Sequence, residues 1–125
     1  MARRQFHPPD ALRIPFVRRC VLESSEGTRE AMTLDISLKG MFIATRELPA
    51  IGLDVAVQFR VPSNVKTLSL PSRVAWLQER QTHPIHGLPP GFGIFFRKLE
   101  VEQVRLIART IQGYCLSNPL YRQYL

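Results

Sequence analysis

The sequence predicts an all-β domain with one C-terminal helix, and three observations lead to this fold class. Apolar stretches of strand length recur between residues 12 and 97, separated by segments rich in Gly, Pro, Ser and Asn. The clearest stretch, 54–61, alternates apolar and polar side chains as a half-buried antiparallel strand does. After residue 100 the apolar spacing becomes helical. Roughly six strands and one helix predict a small closed or nearly closed barrel plugged by the helix.

The individual strands follow from local patterning. The segment 24–27, Ser-Ser-Glu-Gly, predicts a hairpin turn between the first two strands. Pro71 predicts an interruption or bulge in the fifth strand, because proline cannot donate to a sheet ladder. Trp76 is expected in the core together with several phenylalanines. The predicted strands are 12–22, 29–34, 41–45, 55–61, 68–77 with its interruption, and 91–97, and the core phenylalanines are Phe59, Phe92 and Phe96.

The C-terminal helix is indicated by an apolar stripe at helical spacing that starts at Val101 and reaches Cys115. Gly113 is a candidate end of the helix, and Asn118-Pro119 ends helical order. The predicted organisation is therefore a flexible basic arm (1–11), the barrel (12–99), the helix (100–116) and an apolar-aromatic tail (117–125).

Composition narrows the function classes. The chain of 125 residues suits one domain, and its net charge of +7 favours an anionic partner. No apolar run has the length of a membrane span, and no apolar segment follows the basic N-terminus, so we expect a cytoplasmic protein without a membrane span. Generic nucleic-acid binding fits the charge, but neither a lysine-rich tract nor an aromatic-basic RNA-binding signature supports it.

Catalysis and metal binding are not indicated. Cys20 and Cys115 are far apart in the sequence and lack partners at ligand spacing, so buried free thiols are expected. His7, His83 and His86 form no recognisable constellation with a nucleophile or a third ligand. We therefore predict a protein that is not an enzyme and has no cofactor.

One polar segment, Asp35-Ile36-Ser37-Leu38-Lys39-Gly40, lies between two strand-like stretches. In an extended segment Asp35 and Ser37 would point to the same face, where a carboxylate and a hydroxyl could bind a planar polar ligand. Gly40 would permit a positive φ or a close approach. The alternative is an ordinary turn, in which Asp and Ser bind their own backbone.

The segment with its surroundings resembles the PilZ domain family. Asp35, Ser37 and Gly40 match the D/N-x-S-x-x-G signature of that family. Further similar segments are 48–52, 55–62, the Val-x-Trp stretch 74–76 and the Gly-x-Gly-x-x-Phe stretch 91–96.

The resemblance implies a six-stranded antiparallel PilZ-type barrel that binds the second messenger cyclic di-GMP. In that family an N-terminal Arg-x-x-x-Arg binds guanine and phosphate. Here Pro8 follows Arg4 at the position of the second arginine, and the other frame reads Arg3-x-x-x-His7. The missing group would have to be supplied by His7 or Arg13. The candidate ligand-binding residues are Arg3, Arg4, His7, Asp35, Ser37 and Gly40.

Two functions are compatible with this pattern. The first is a cyclic di-GMP effector that passes the signal to an unidentified protein partner, since no output domain is evident. The second is a degenerate adaptor that binds proteins without sensing the nucleotide, with the tail 121–125 as its contact surface. A nucleic-acid-binding barrel is a third, weaker interpretation that depends on charge alone.

Overall fold

The computed structural model describes residues 8–60, 67–78 and 89–125, and within them six antiparallel strands form one closed barrel. The order around the barrel is β1-β2-β3-β6-β5-β4. The strands are β1 Ile14–Ser24, β2 Gly27–Ile36, β3 Gly40–Ala44, β4 Asp54–Arg60, β5 Thr67–Gln78 and β6 Gly91–Phe96. This confirms the predicted six-stranded antiparallel barrel with a C-terminal helix. The predicted turn around 62–64 and the irregular segment 83–88 lie outside the described residues.

The β1–β2 hairpin turns where the sequence predicts it. Ser24 pairs with Gly27, whose φ of +111° lies in the region that favours glycine. Further along, the pairing shifts between Pro15 and Arg18, where β1 has an extra residue relative to β2. The buried Thr33 hydroxyl fills this bulge by accepting from the Arg18 N–H at 3.0 Å and donating to the Phe16 carbonyl at 2.7 Å. The hydroxyl therefore replaces ladder partners for the Arg18 N–H and the Phe16 carbonyl at the bulge.

Strand β5 runs through Pro71 without a break, contrary to the predicted interruption. The Pro71 carbonyl accepts from the Arg97 N–H at 2.7 Å, on the β6 side. Because the nitrogen and carbonyl of one strand residue face the same neighbour, the proline nitrogen also faces this side. The β5–β6 pairing begins only at Ser72, so the missing N–H costs the ladder no bond.

Trp76 lies on the outer face of the barrel with 36% of its surface exposed, so the prediction that it belongs to the core is wrong. Its indole lies over Gly93, where an added Cβ would be 2.0 Å from Nε1. Phe42, also outside the inner core, packs against the indole with ring centroids 5.3 Å apart. The absence of a side chain at Gly93 makes room for this aromatic pair.

Helix α1 spans Val101–Ser117, and a 3₁₀ helix follows at Pro119–Tyr124. A capping box between Glu100 and Gln103 starts α1. The helix continues through Gly113, contrary to the expected end there, and Asn118 is its C-cap. No helix in the described ranges is long and apolar enough to cross a bilayer.

The inner core joins the barrel and α1. Ile107, Ile111 and Cys115 of the helix are buried in the same cluster as the inward-facing strand residues. The two cysteines are free and buried, as predicted. Burial raises the pKa of the Cys20 thiol from 9.0 to about 11 and also raises the pKa of Cys115. Both thiols are therefore protonated at neutral pH and inert as nucleophiles.

Candidate functional site

Asp35 lies near the end of β2, at the rim of the barrel, between Pro15 of β1 and Phe42 of β3. Its side chain is 30% exposed. The Oδ1 atom accepts a hydrogen bond from the Phe42 backbone N–H at 2.9 Å. This bond occurs where the β2–β3 pairing shifts, so the carboxylate takes the place of a ladder partner. The acid is therefore part of the sheet and is still accessible to solvent.

Arg13 supplies a cation beside this acid. It directly precedes β1, and its Nη1 donates to Asp35 Oδ1 at 2.8 Å. The guanidinium is 38% exposed, so the pair faces solvent on one side. Oδ2 accepts no hydrogen bond from the described residues, since both bonds to the carboxylate use Oδ1. The pair thus offers a free acceptor oxygen and further N–H donors next to each other.

Ser37 begins the turn between β2 and β3. Its Oγ accepts from the N–H groups of Lys39 at 3.1 Å and Gly40 at 3.2 Å, and its own N–H donates to the Gly40 carbonyl at 2.9 Å. The residue is only 2% exposed. The alternation argument for Asp35 and Ser37 fails because β2 ends at Ile36. The hydroxyl stabilises the turn and does not present itself at the surface.

Gly40 is required by close approach and not by a positive φ, because only Gly27 and Gly52 have positive φ among the described glycines. A Cβ on Gly40 would lie 1.9 Å from the Ile94 carbonyl oxygen of β6. Gly40 pairs with Phe95 in the β3–β6 ladder. The glycine therefore lets the turn of the polar segment join directly to β6.

The chain before β1 lies against the same turn. Lys39 of the turn forms an ion pair of 3.5 Å with Asp10. Leu12 is 8% exposed and packs into the core cluster, and its N–H donates to the Pro9 carbonyl at 3.0 Å. The described part of the N-terminal segment is thus anchored beside the Asp35–Arg13 pair.

The sequence profile of the PilZ domain matches residues 2–113 of the chain. This range covers the polar segment, all six strands and most of α1. The chain belongs to the PilZ domain family. Members of this family bind cyclic di-GMP as a ligand and not as a cofactor. No curated protein sequence matches this chain.

Solved PilZ structures share the fold. The PilZ domain of CeSA from a cellulose-synthesizing bacterium superposes with a TM-score of 0.58 at 17% identity, over 83% of this chain and 98% of that one. PlzA of Borreliella burgdorferi in complex with c-di-GMP superposes with a TM-score of 0.57 at 13% identity. That match covers 86% of this chain and 40% of PlzA. At these identities the comparison concerns the fold.

The structure brings together part of the predicted PilZ site. Asp35, Ser37 and Gly40 lie at the β2–β3 rim in the roles described above. Arg3, Arg4 and His7 lie outside the described residues, so their part in the site stays a prediction. Within the described ranges, no group of His, Cys, Asp and Glu side chains is arranged to hold a metal ion.

The sequence predicts for Arg13 only the role of a substitute for the missing arginine, and the structure places its guanidinium in contact with Asp35. The signal for it lies in the hairpin. Ser24 and Gly27 pair at the hairpin turn, and from there successive pairs run backward along β1 and forward along β2. The start of β1 therefore lies opposite the end of β2, and Pro15 is the observed partner of Asp35. A residue just before β1 is therefore expected beside this acid.

A cleft of about 440 Å³ lies on the β4–β5 side of the barrel. Asp54 of β4 is bound there by Arg73 Nε at 3.1 Å and approached by Arg97 Nη1 at 3.9 Å. The Asp54 side chain is 74% exposed. Within the part of the chain that the structure describes, side chains alone contact this carboxylate, which distinguishes it from Asp35.

Proposed function

We propose that this PilZ protein is a cyclic di-GMP-binding effector that passes the signal to a protein partner. The observation that supports the proposal is the Asp35–Arg13 pair at the barrel rim, next to the anchored N-terminal segment. The acid is fixed by the backbone of β3, is 30% exposed, and has a second oxygen that accepts no hydrogen bond from the described residues. Such a fixed acceptor beside a cation suits recognition of a nucleotide.

The chemistry of guanine fits this pair. The base carries N–H donors on one edge, which a carboxylate accepts, and the O6 and N7 acceptors on another, which a guanidinium fork satisfies. In this proposal Asp35 binds the donor edge of one guanine through Oδ2. Arg13 substitutes for the second arginine of the family motif, where Pro8 stands. Arg3 and Arg4 bind phosphate from the preceding segment, with His7 as a further donor.

Charge supports a dianionic ligand. The chain carries seventeen Lys and Arg residues against ten Asp and Glu residues, a net charge of +7. Arginine forks bind phosphate oxygens in a bidentate manner and with charge assistance, each such bond contributing about 1.5–3 kcal/mol. Binding then changes the surface that the N-terminal segment and the β2–β3 turn present to a partner. Ligand-induced ordering of a segment is a common form of such a switch.

Isothermal titration calorimetry with cyclic di-GMP tests this proposal. We expect saturable binding by the unaltered chain, and at least about a tenfold weaker affinity for Asp35→Ala and for Arg4→Ala, as the loss of one charge-assisted bond predicts. Asp54→Ala is the matched control, because it removes an exposed acid from another Asp–Arg pair. Absence of heat at high micromolar ligand would contradict the proposal, and so would equal losses in all three variants.

A second candidate function is an adaptor that binds proteins without the nucleotide. It is favoured by the use of the Ser37 hydroxyl inside the turn and by the buried Pro8 at a motif position. The 3₁₀ helix exposes Leu120 by 81% and is followed by Leu125 at 50%. In this case truncation after Asn118 abolishes capture of the partner while the barrel stays folded, and cyclic di-GMP has no effect on capture. Unchanged capture would exclude the tail as the contact surface.

A further inference from the structure

A groove of about 480 Å³ lies between the first half of β1 and the second half of α1. Its wall on β1 is apolar and includes Pro15, Phe16 and Val17, the last of which is 59% exposed. Tyr114 contributes an aromatic ring from α1. An apolar hollow of this kind is a typical seat for one or two large side chains.

Gly113 keeps the helix side of the groove open. It lies inside α1, where glycine is destabilising by about 1 kcal/mol relative to alanine. A Cβ added there would meet no atom within 4 Å, so packing does not require glycine at this position. Because Gly113 has no side chain, the space above this point of the helix stays empty and forms part of the groove.

The hydroxyl groups in the groove do not need a ligand. Thr110 Oγ1 donates to the Leu106 carbonyl at 2.8 Å, and Ser117 Oγ donates to the Gly113 carbonyl at 2.9 Å. Both therefore bind the helix backbone, as such residues commonly do inside helices. The polar groups of the groove that remain available to a ligand are the charged side chains of Arg18 and Arg109.

Two guanidinium groups, Arg18 of β1 and Arg109 of α1, line the groove from opposite sides. Neither forms an ion pair with an acid in the described parts of the chain, although Arg13, Arg29, Arg73, Arg97 and Arg105 do. The Arg18 guanidinium carbon lies 5.7 Å from the centroid of the Phe16 ring, which holds it over the apolar wall. Two such cations around an apolar hollow complement carboxylates that flank an apolar side chain.

We propose that this groove docks an acidic-apolar peptide segment of a partner protein, with a large apolar side chain between β1 and α1 and carboxylates on Arg18 and Arg109. A protein segment fits better than nucleic acid, because the hollow is concave and apolar with a cation on each side. A phosphate backbone instead requires a continuous basic track. In this proposal recognition depends on side chains.

The proposal does not depend on nucleotide binding, so it can be tested without cyclic di-GMP. The probe is a phage-displayed library of random dodecapeptides selected on the immobilised full chain. The most enriched peptide is then synthesised with a fluorescein label and titrated by anisotropy. We expect enriched sequences that place Asp or Glu next to Leu, Ile or Phe.

Two variants and two matched controls locate the binding site. Arg109→Glu inverts a charge in the groove, and Gly113→Phe fills the hollow; each should weaken peptide binding at least about tenfold, because one charge-assisted bond or the apolar seat is lost. Arg46→Glu makes the same charge change at an exposed position after β3, and Gly113→Ala tests the helix without filling the groove. Both controls should bind within about twofold of the unaltered chain, within the few tenths of a kcal/mol usual for surface changes.

Circular dichroism of all four variants shows whether the fold is retained. The proposal is overturned if no peptide is enriched, if the enriched peptides lack acidic residues, or if Arg109→Glu and Gly113→Phe bind as the controls do. A single-stranded oligonucleotide that displaces the peptide and loses affinity in Arg109→Glu would overturn it in favour of nucleic acid. Peptide binding without any cyclic di-GMP binding would refute the effector function alone.

Discussion

Two aspartate–arginine pairs in the described part of the chain differ in exposure and in what holds the acid. Asp35 is 30% exposed and receives both Arg13 and a backbone N–H on one oxygen. Asp54 is 74% exposed, and its partners among the described residues are the side chains of Arg73 and Arg97. An acid held by the backbone keeps one geometry, whereas an exposed acid exchanges its partners with water at little cost.

The glycines next to the two acids show the same contrast. Gly40, after Asp35, abuts a backbone carbonyl of β6. Gly52, before Asp54, has a φ of +88° and open space around its Cβ position. One rim is therefore shaped by packing and the other by local backbone conformation. A fixed rim suits a binding site. Four pairs of substitutions compare the stability contributed by the Asp35 rim with that of exposed positions elsewhere on the barrel.

Gly40→Ala should have the largest effect. The added Cβ collides with the Ile94 carbonyl oxygen, and a backbone atom of a central strand cannot rotate away. We expect a loss of at least about 3 kcal/mol in the free energy of unfolding, at the upper end for overpacking. Gly52→Ala, with a positive φ but no collision, should lose only about 1–2 kcal/mol. Urea denaturation followed by circular dichroism measures both, and equal losses would refute the contrast.

Asp35→Ala should come second. It leaves the Phe42 N–H without its acceptor and Arg13 without its counter-ion, which predicts a loss of about 2–3 kcal/mol. Asp54→Ala removes an exposed pair and should change the stability by less than about 0.5 kcal/mol. Asp35→Asn, which keeps an acceptor oxygen for Phe42, should lie between the two. A greater loss for Asp54→Ala than for Asp35→Ala in chemical denaturation would reverse the interpretation of the two rims.

Ser37→Ala should destabilise the protein by about 1–2 kcal/mol, because two N–H groups in a largely buried turn lose their acceptor. Ser24→Ala is the control, since Ser24 Oγ accepts one N–H, from Glu26, in an exposed turn. We expect a change there of less than about 0.5 kcal/mol. Thermal unfolding of the two variants under identical conditions provides the measurement, and indistinguishable midpoints would contradict a structural role for the Ser37 hydroxyl.

Among the four changes at the Asp35 rim, Arg13→Ala should have the smallest effect on stability, about 0.5–1 kcal/mol, because Asp35 keeps its bond to Phe42 when the partly exposed cation is removed. Arg73→Ala should cost still less. The loss in Arg13→Ala should shrink as salt is added, since screening weakens an exposed pair. Denaturation at low and high sodium chloride measures this, and a loss independent of salt would show that Arg13 acts through packing.

Much of the fold could be predicted from the sequence because each element carries its own periodicity. Alternation in 54–60 and the helical stripe from Val101 onward both appear in the structure. Pro71 and Gly113 give wrong predictions because both residue types disfavour regular structure locally. The Pro71 nitrogen faces β6 at a point before the β5–β6 pairing begins. Gly113 lies in a helix that is stabilised by burial of its opposite face. These are tertiary effects that local propensity does not contain.

The candidate site was predictable only in part, for a related reason. The D-x-S-x-x-G pattern located the turn, but a two-residue spacing could not show that β2 ends at Ile36 and buries Ser37. Arg13 is separated from Asp35 by twenty-two positions, so their contact depends on the hairpin register and its bulge. Trp76 was misplaced because the space over Gly93 arises only when β5 and β6 pair.

The position of Trp76 also provides an optical probe. It is the only tryptophan of the chain, so the indole emission has a single source. The ring lies across three strands, over Gly93 and against Phe42, which is two residues from Gly40. Because the indole is part in water and part on aromatic carbon, a small displacement of β3 alters the polarity around it. Intrinsic fluorescence can therefore report displacements of β3 at the β2–β3 rim without any attached dye.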